Sequence, residues 1–217
     1  MKANAAHSLK QNVTPTIELV ALASTVVFKF IFMDWLEWRG VFITVVCLFW
    51  LVYIVWQVRT PDKLHLWGFQ FSGFKPSMFI LTPLTLLCLA VALLYASFRD
   101  QLIFSWHILP ILVLYPVWGI VQQFLMLGII SQNLHTLFSK HVHRYVVILL
   151  VSTLFSLVHY PDYFLMIFTF FLEIVFISVY FTWKNLWAIG IAHGWIGTFI
   201  LFYILDRNLW LELFSGY

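Results

Sequence analysis

Charge is what this 217-residue chain has least of: Asp, Glu, Lys and Arg together make up 10% of it. A soluble domain normally carries about a quarter of its residues as these four types, so a water-facing globule is excluded. The 12 Lys and Arg residues lie scattered at the ends of apolar runs, and no basic stripe forms that would mark a nucleic-acid partner. Cysteine is almost as scarce. Cys47 and Cys88 both fall inside apolar runs, with neither a paired nor a metal-binding spacing, which excludes a disulfide framework and a cysteine zinc site. Internal repeats and low-complexity stretches are absent, so a solenoid is excluded and a repeat-built transporter is disfavoured.

What the chain does have is apolar surface. Hydrophobic residues make up 63% and aromatic residues 20%, and the mean hydropathy is +0.94. This composition predicts an all-α, polytopic transmembrane helix bundle, one membrane-embedded domain over residues 1–217 whose immediate environment is the lipid bilayer. Apolar runs long enough to cross about 30 Å of hydrocarbon place spans at 16–33, 40–58, 77–98, 104–131, 144–160, 163–181 and 185–205, seven in all. Pro110 and Pro116 predict a kink or break in the fourth. The segment from Arg59 to Pro76 carries Trp67, Phe69, Phe71 and Phe74 among polar residues and is expected to lie along the membrane surface.

The cations report orientation. With the N-terminus inside, Lys2, Lys10, Arg59, Lys63, Lys75, Lys140, Arg144 and Lys184 fall on the cytoplasmic side and only Arg39, Arg99 and Arg207 outside, an asymmetry that favours a cytoplasmic N-terminus in a plasma (inner) membrane. The sequon Asn12-Val-Thr14 then lies on the unglycosylated side. His135, His141 and His143 cluster where span four ends and span five begins, at an interface, where His141 and His143 could hold a transition metal weakly.

Against this apolar background, polar residues inside spans are costly and point to a protein-lined site. Gln122 and Gln123 stand side by side in Trp118-Gly-Ile-Val-Gln-Gln-Phe-Leu-Met-Leu-Gly128. His159 closes Phe155-Ser-Leu-Val-His, and His193 lies within Leu186-Trp-Ala-Ile-Gly-Ile-Ala-His-Gly-Trp-Ile-Gly197. In this order the three segments resemble the CAAX-protease and bacteriocin-processing (CPBP, or Abi) family of intramembrane proteases, over about the C-terminal half, residues 104–205. That family has Glu-Glu-x-x-x-Arg-Gly, then Phe-x-x-x-His, then His-x-x-x-Asn or Asp. Here both glutamates are Gln122 and Gln123, the arginine position is Leu127, and the last position is Gly197.

The resemblance implies a hydrolase acting on a membrane-embedded or lipidated peptide, with His159 and His193 holding water or an oxyanion, and Gln122, Gln123 and Phe155 contacting substrate. An amide cannot accept a proton from water, so the family's general base is missing from its usual place. Glu173 is the one candidate replacement, the sole carboxylate between Asp162 and Lys184; Phe170, Glu173, Ile177 and Tyr180 recur at helical spacing and are expected to share a face. His159 and His193 could also serve a divalent metal such as zinc, which wants a third protein ligand, supplied by Glu173 or Asp162. The alternative to an enzyme is an inactive scaffold that keeps the polar pocket to bind a lipid or a partner membrane protein. The two glutamines and two histidines could line one pocket, but adjacent helix positions point about 100° apart, so only one glutamine need face inward, Gln123 by preference.

Overall fold

The computed structural model describes residues 16–59, 61–102, 105–134 and 143–214. Among them the secondary structure is helical, with no strand. The helices are α1 (Thr16–Trp35), α2 (Arg39–Trp56), α3 (Pro61–Trp67), α4 (Phe74–Phe98), α5 (Ile108–Leu134), α6 (Arg144–Leu157), α7 (Tyr163–Trp183), α8 (Leu186–Tyr203) and α9 (Leu209–Phe214). Six of them, α1, α2, α4, α5, α7 and α8, are long and apolar enough to cross a membrane, and the chain is an integral membrane protein. Asn12, His135 and His141 lie outside the described residues.

The fifth expected span is shorter than its apolar run. With 14 residues, α6 extends about 21 Å, less than the hydrocarbon thickness. The helix ends because Pro161 follows in a tight turn, and the Asp162 carboxylate accepts from the Leu165 N–H to start α7. That turn stands level with Lys29, whose ammonium donates to the Tyr160 carbonyl at 3.3 Å, six residues before α1 ends.

The fourth span neither breaks nor splits. Pro110 sits in the first turn, where it costs no helical donor, and α5 passes through Pro116 unbroken to Gln123. It then widens into a π-helix over Phe124–Ser131, starting at the residue after the glutamine pair. Such widened turns occur disproportionately at functional sites.

The segment after α2 also departs from expectation. Trp67 is 2% exposed, and its ring meets Phe124 at 4.9 Å. Phe69 packs on Phe124 and Trp187 at 5.5 and 5.2 Å. Gly68, at φ +85, turns the chain sharply enough to send both rings into the bundle, and only Phe71 is left fully outside. Asn185 secures this turn by donating to the carbonyls of Gln70 and Ser72 while its own Oδ1 caps α8 at the Ala188 N–H.

The bundle has its tightest seam between α5 and α8. A Cβ on Gly194 would lie 2.4 Å from the Cα of Pro116, one on Gly190 2.6 Å from the Cα of Ile120, and one on Gly119 2.5 Å from the Gly190 carbonyl oxygen. Glycine here lets two backbones touch, the usual way membrane helices gain dispersion energy where no hydrophobic force acts between them. The consequence for function is register: this seam sets Gln122 and Gln123 of α5 against His193 of α8.

Candidate active site

Four of the polar residues singled out in the sequence form one hydrogen-bonded chain. The Gln123 amide donates to Glu173 Oε2 at 2.9 Å and meets His193 Nδ1 at 3.3 Å. On the other edge of the imidazole, His193 Nε2 meets Gln122 Oε1 at 3.1 Å. These distances assign the tautomer: Nδ1 accepts from the Gln123 N–H, and Nε2–H donates to the Gln122 carbonyl. Both glutamines therefore reach the site, where only one was required. A single imidazole has nitrogens on two edges and can bridge two side chains that leave the helix in different directions.

Glu173 reaches this chain from α7. It is fully buried on the face that also buries Thr169, Ile177 and Tyr180, with Phe170 at the edge of that face instead of its centre. The carboxyl has one oxygen on Gln123; the other, Oε1, is buried without a partner among the described residues, as is Gln123 Oε1. Two adjacent groups thus each offer an unused acceptor in an interior where unused acceptors are expensive. The set can hold a donor such as water or a substrate amide, and Glu173 can take its proton.

His159 is a neighbour of this chain and not a link in it. Its Nδ1 donates to the Phe155 carbonyl at 2.7 Å, which leaves Nε2 as an acceptor. In that state the ring can hold water but cannot donate to an oxyanion, so the water-positioning role is the one that its geometry allows. Phe155 separates the histidines: its ring lies 4.9 Å from that of His159 and 5.5 Å from that of His193. The end of short α6 still reaches the neighbouring helices here: Thr169 Oγ1 of α7 lies 3.4 Å from His159 Nδ1, and the Phe155 ring contacts that of His193 on α8.

A zinc centre does not fit these residues. Both nitrogens of His193 are engaged by glutamine amides, and Asp162 spends its carboxylate on the α7 cap. Among the described residues no three His, Cys, Asp or Glu side chains group as a metal set would. His143 stacks on Tyr145, ring planes 9° apart.

The departures from the family pattern have local structural partners. At Gly197, a Cβ would lie 2.7 Å from the Tyr115 ring, so that ring takes the room a longer residue at this position would need. Leu127 is fully buried in the apolar core. Sequence reasoning also missed Glu18, a second buried carboxylate. It accepts from Lys63 at 2.7 Å, from Asn133 at 2.9 Å and from the Tyr53 hydroxyl, tying α1 to α2, α3 and α5 at the bundle end opposite Arg39. Its position in the first apolar run was the available signal, since a carboxylate there needs a partner.

A family model described as type II CAAX prenyl endopeptidase Rce1-like matches residues 103–199, a stretch that contains every member of the Gln122–Gln123–His193–Glu173 chain as well as Phe155 and His159. No curated protein and no solved structure matches.

Proposed function

We propose that this chain, whose residues 103–199 match the Rce1-like family model, is a divergent member of the CAAX-protease and bacteriocin-processing family, an intramembrane peptidase whose catalytic carboxylate has moved from α5 to α7. Its substrates are membrane-embedded or lipidated peptides. The observation that carries the reading is the Glu173 carboxyl hydrogen-bonded to Gln123, within the same chain as His193 and Gln122.

The residues divide the work as follows. Glu173 accepts a proton from water as the water oxygen attacks the peptide carbonyl carbon. The same proton then passes to the leaving amine nitrogen as the C–N bond breaks. Gln123 fixes the carboxyl in place. His193 orients Gln122, whose N–H groups, with no acceptor among the described residues, donate to the developing oxyanion. His159, through Nε2, holds water against the Phe155 wall. In this orientation the N-terminus is cytoplasmic, as the cation asymmetry favours.

Returning a carboxylate to the family position tests the assignment of Gln123. In Gln123→Glu, turnover of a fluorogenic membrane-peptide panel should be preserved or raised, because a second proton acceptor stands next to the first. A scaffold would respond differently: no turnover before or after the change, with weaker folding from two buried carboxyls placed side by side. Loss of turnover in a folded Gln123→Glu protein would mean that the hydrogen bonds donated by the Gln123 amide are needed to hold Glu173, and that a carboxylate at the family position does not work as a base here.

A further inference from the structure

Hydrolysis in a buried site needs a route for water, and the far end of α5 offers one. A cavity of about 40 Å³ lies beneath α9, walled by Met33, Tyr115, Trp118, Arg39, Arg207 and Glu212 among others. This volume admits about three waters, at roughly 10–15 Å³ for each, and a site holds water only where polar partners converge. Two guanidiniums, a carboxylate and the Tyr115 hydroxyl provide them.

The polar groups are arranged as a latch on α9. Glu212 accepts from Arg39 Nη1 at 2.8 Å and from Arg207 Nε and Nη2 at 2.8 and 2.6 Å. Burial pushes the Glu212 carboxyl up, and the two arginines more than offset it, leaving it below the ordinary value of 4.5. Close backbone approach fixes the other side: a Cβ on Gly40 would collide with the Leu213 carbonyl. Trp210 packs on Trp106 and His107.

Below this cavity the route follows one helix face. Tyr115, Trp118 and Gln122 are spaced by three and four residues and lie in line along α5. Trp118 is one turn from Gln122, about 6 Å along the axis, and Gln122 is bonded to His193. We propose that the cavity beneath α9 is a water port, with the Arg39–Glu212–Arg207 latch as its outer wall and the Tyr115–Trp118 face leading to the buried site. The port deepens the hydrolytic reading and takes its purpose from it, but it is tested by reading water instead of turnover.

X-ray radiolytic hydroxyl footprinting of the intact protein in lipid nanodiscs reads water next to individual Met, Tyr and Trp side chains. Trp118, Tyr115 and Met33 should oxidise at rates within about threefold of Trp106, which is 65% exposed, and at least tenfold faster than Trp50, which is 1% exposed. Ile43, which also lines the cavity, provides the block: Ile43→Phe should slow oxidation of Trp118 and Tyr115 severalfold and leave Trp106 unchanged. Leu213→Phe serves if Ile43→Phe does not fold. Glu212→Gln should speed it by loosening the latch. Protection of Trp118 and Tyr115 equal to that of Trp50, or rates indifferent to the filled cavity, would overturn the port. Turnover with a dry cavity would leave the peptidase and remove the port, and a wet cavity without turnover would do the reverse.

Discussion

Gly194→Ala should cost the bundle several kcal/mol although it adds one methyl group. The new Cβ would stand 2.4 and 2.5 Å from Pro116 Cα and N and 2.9 Å from the Tyr115 carbonyl carbon. All three are backbone atoms on a neighbouring helix, so no side chain can rotate away. Relief requires α5 and α8 to part by about an ångström, and overpacking of this kind costs about 1–3 kcal/mol or more. Parting also stretches the two His193–glutamine bonds, now 3.1 and 3.3 Å, beyond good hydrogen-bond geometry. The buried ring and amides would then lose partners at about 1–3 kcal/mol for each group left unsatisfied. Thermal unfolding in detergent, with Leu149→Ala on a lipid-facing position of α6 as the comparison, is the measurement. Equal midpoints for Gly194→Ala and wild type would mean that the seam is not as close as described.

Glu173→Gln should abolish measurable turnover while leaving the fold intact. The amide has the size of the acid and can still meet Gln123, so the packing around α7 changes little. It cannot take a proton from water. Loss of general-base assistance lowers a rate by on the order of 10²–10⁴, and among the described residues no second carboxylate hydrogen-bonds to the Gln122–Gln123–His193 chain. The readouts are kcat on the membrane-peptide panel and the unfolding midpoint, taken together. A fall in kcat with an unchanged midpoint assigns chemistry to Glu173. Full activity in the variant would eliminate the substituted base.

Much of this architecture could be read from composition because lipid imposes few solutions: apolar runs of sufficient length must be helices, and the polar residues within them must face protein. That logic brought Gln122, Gln123, Glu173 and His193 into consideration, and the hydrogen-bonded chain places them in contact. It could not fix where α6 ends, because hydropathy continues to Tyr160 whereas the Pro161 turn and the Asp162 cap decide the boundary. Nor could it turn Trp67 and Phe69 inward. An aromatic residue suits an interface as well as a core, and only the Gly68 backbone and the Asn185 clamp distinguish the two. The α5–α8 seam left a visible trace in Gly190-x-x-x-Gly194, but its partners Gly119 and Pro116 lie some 70 residues earlier, and spacing within one helix does not reveal what approaches it. The same separation hides the pairing of Gly197 with Tyr115.

On this mechanism one carboxylate, on either α7 or α5, should suffice for the chemistry when it stands within the hydrogen-bonded chain of His193 and its amide partners. Exchanging the two positions tests it most directly. The double variant Glu173→Gln/Gln123→Glu keeps one acid and one amide in the same contact, and its peptide hydrolysis is to be compared with wild type and with Glu173→Gln alone. The expected result is an inactive single variant and a double variant that recovers at least a tenth of wild-type kcat. A double variant that folds normally but is as inactive as Glu173→Gln would contradict the claim, since it would show that a carboxylate in that contact is not sufficient for the chemistry.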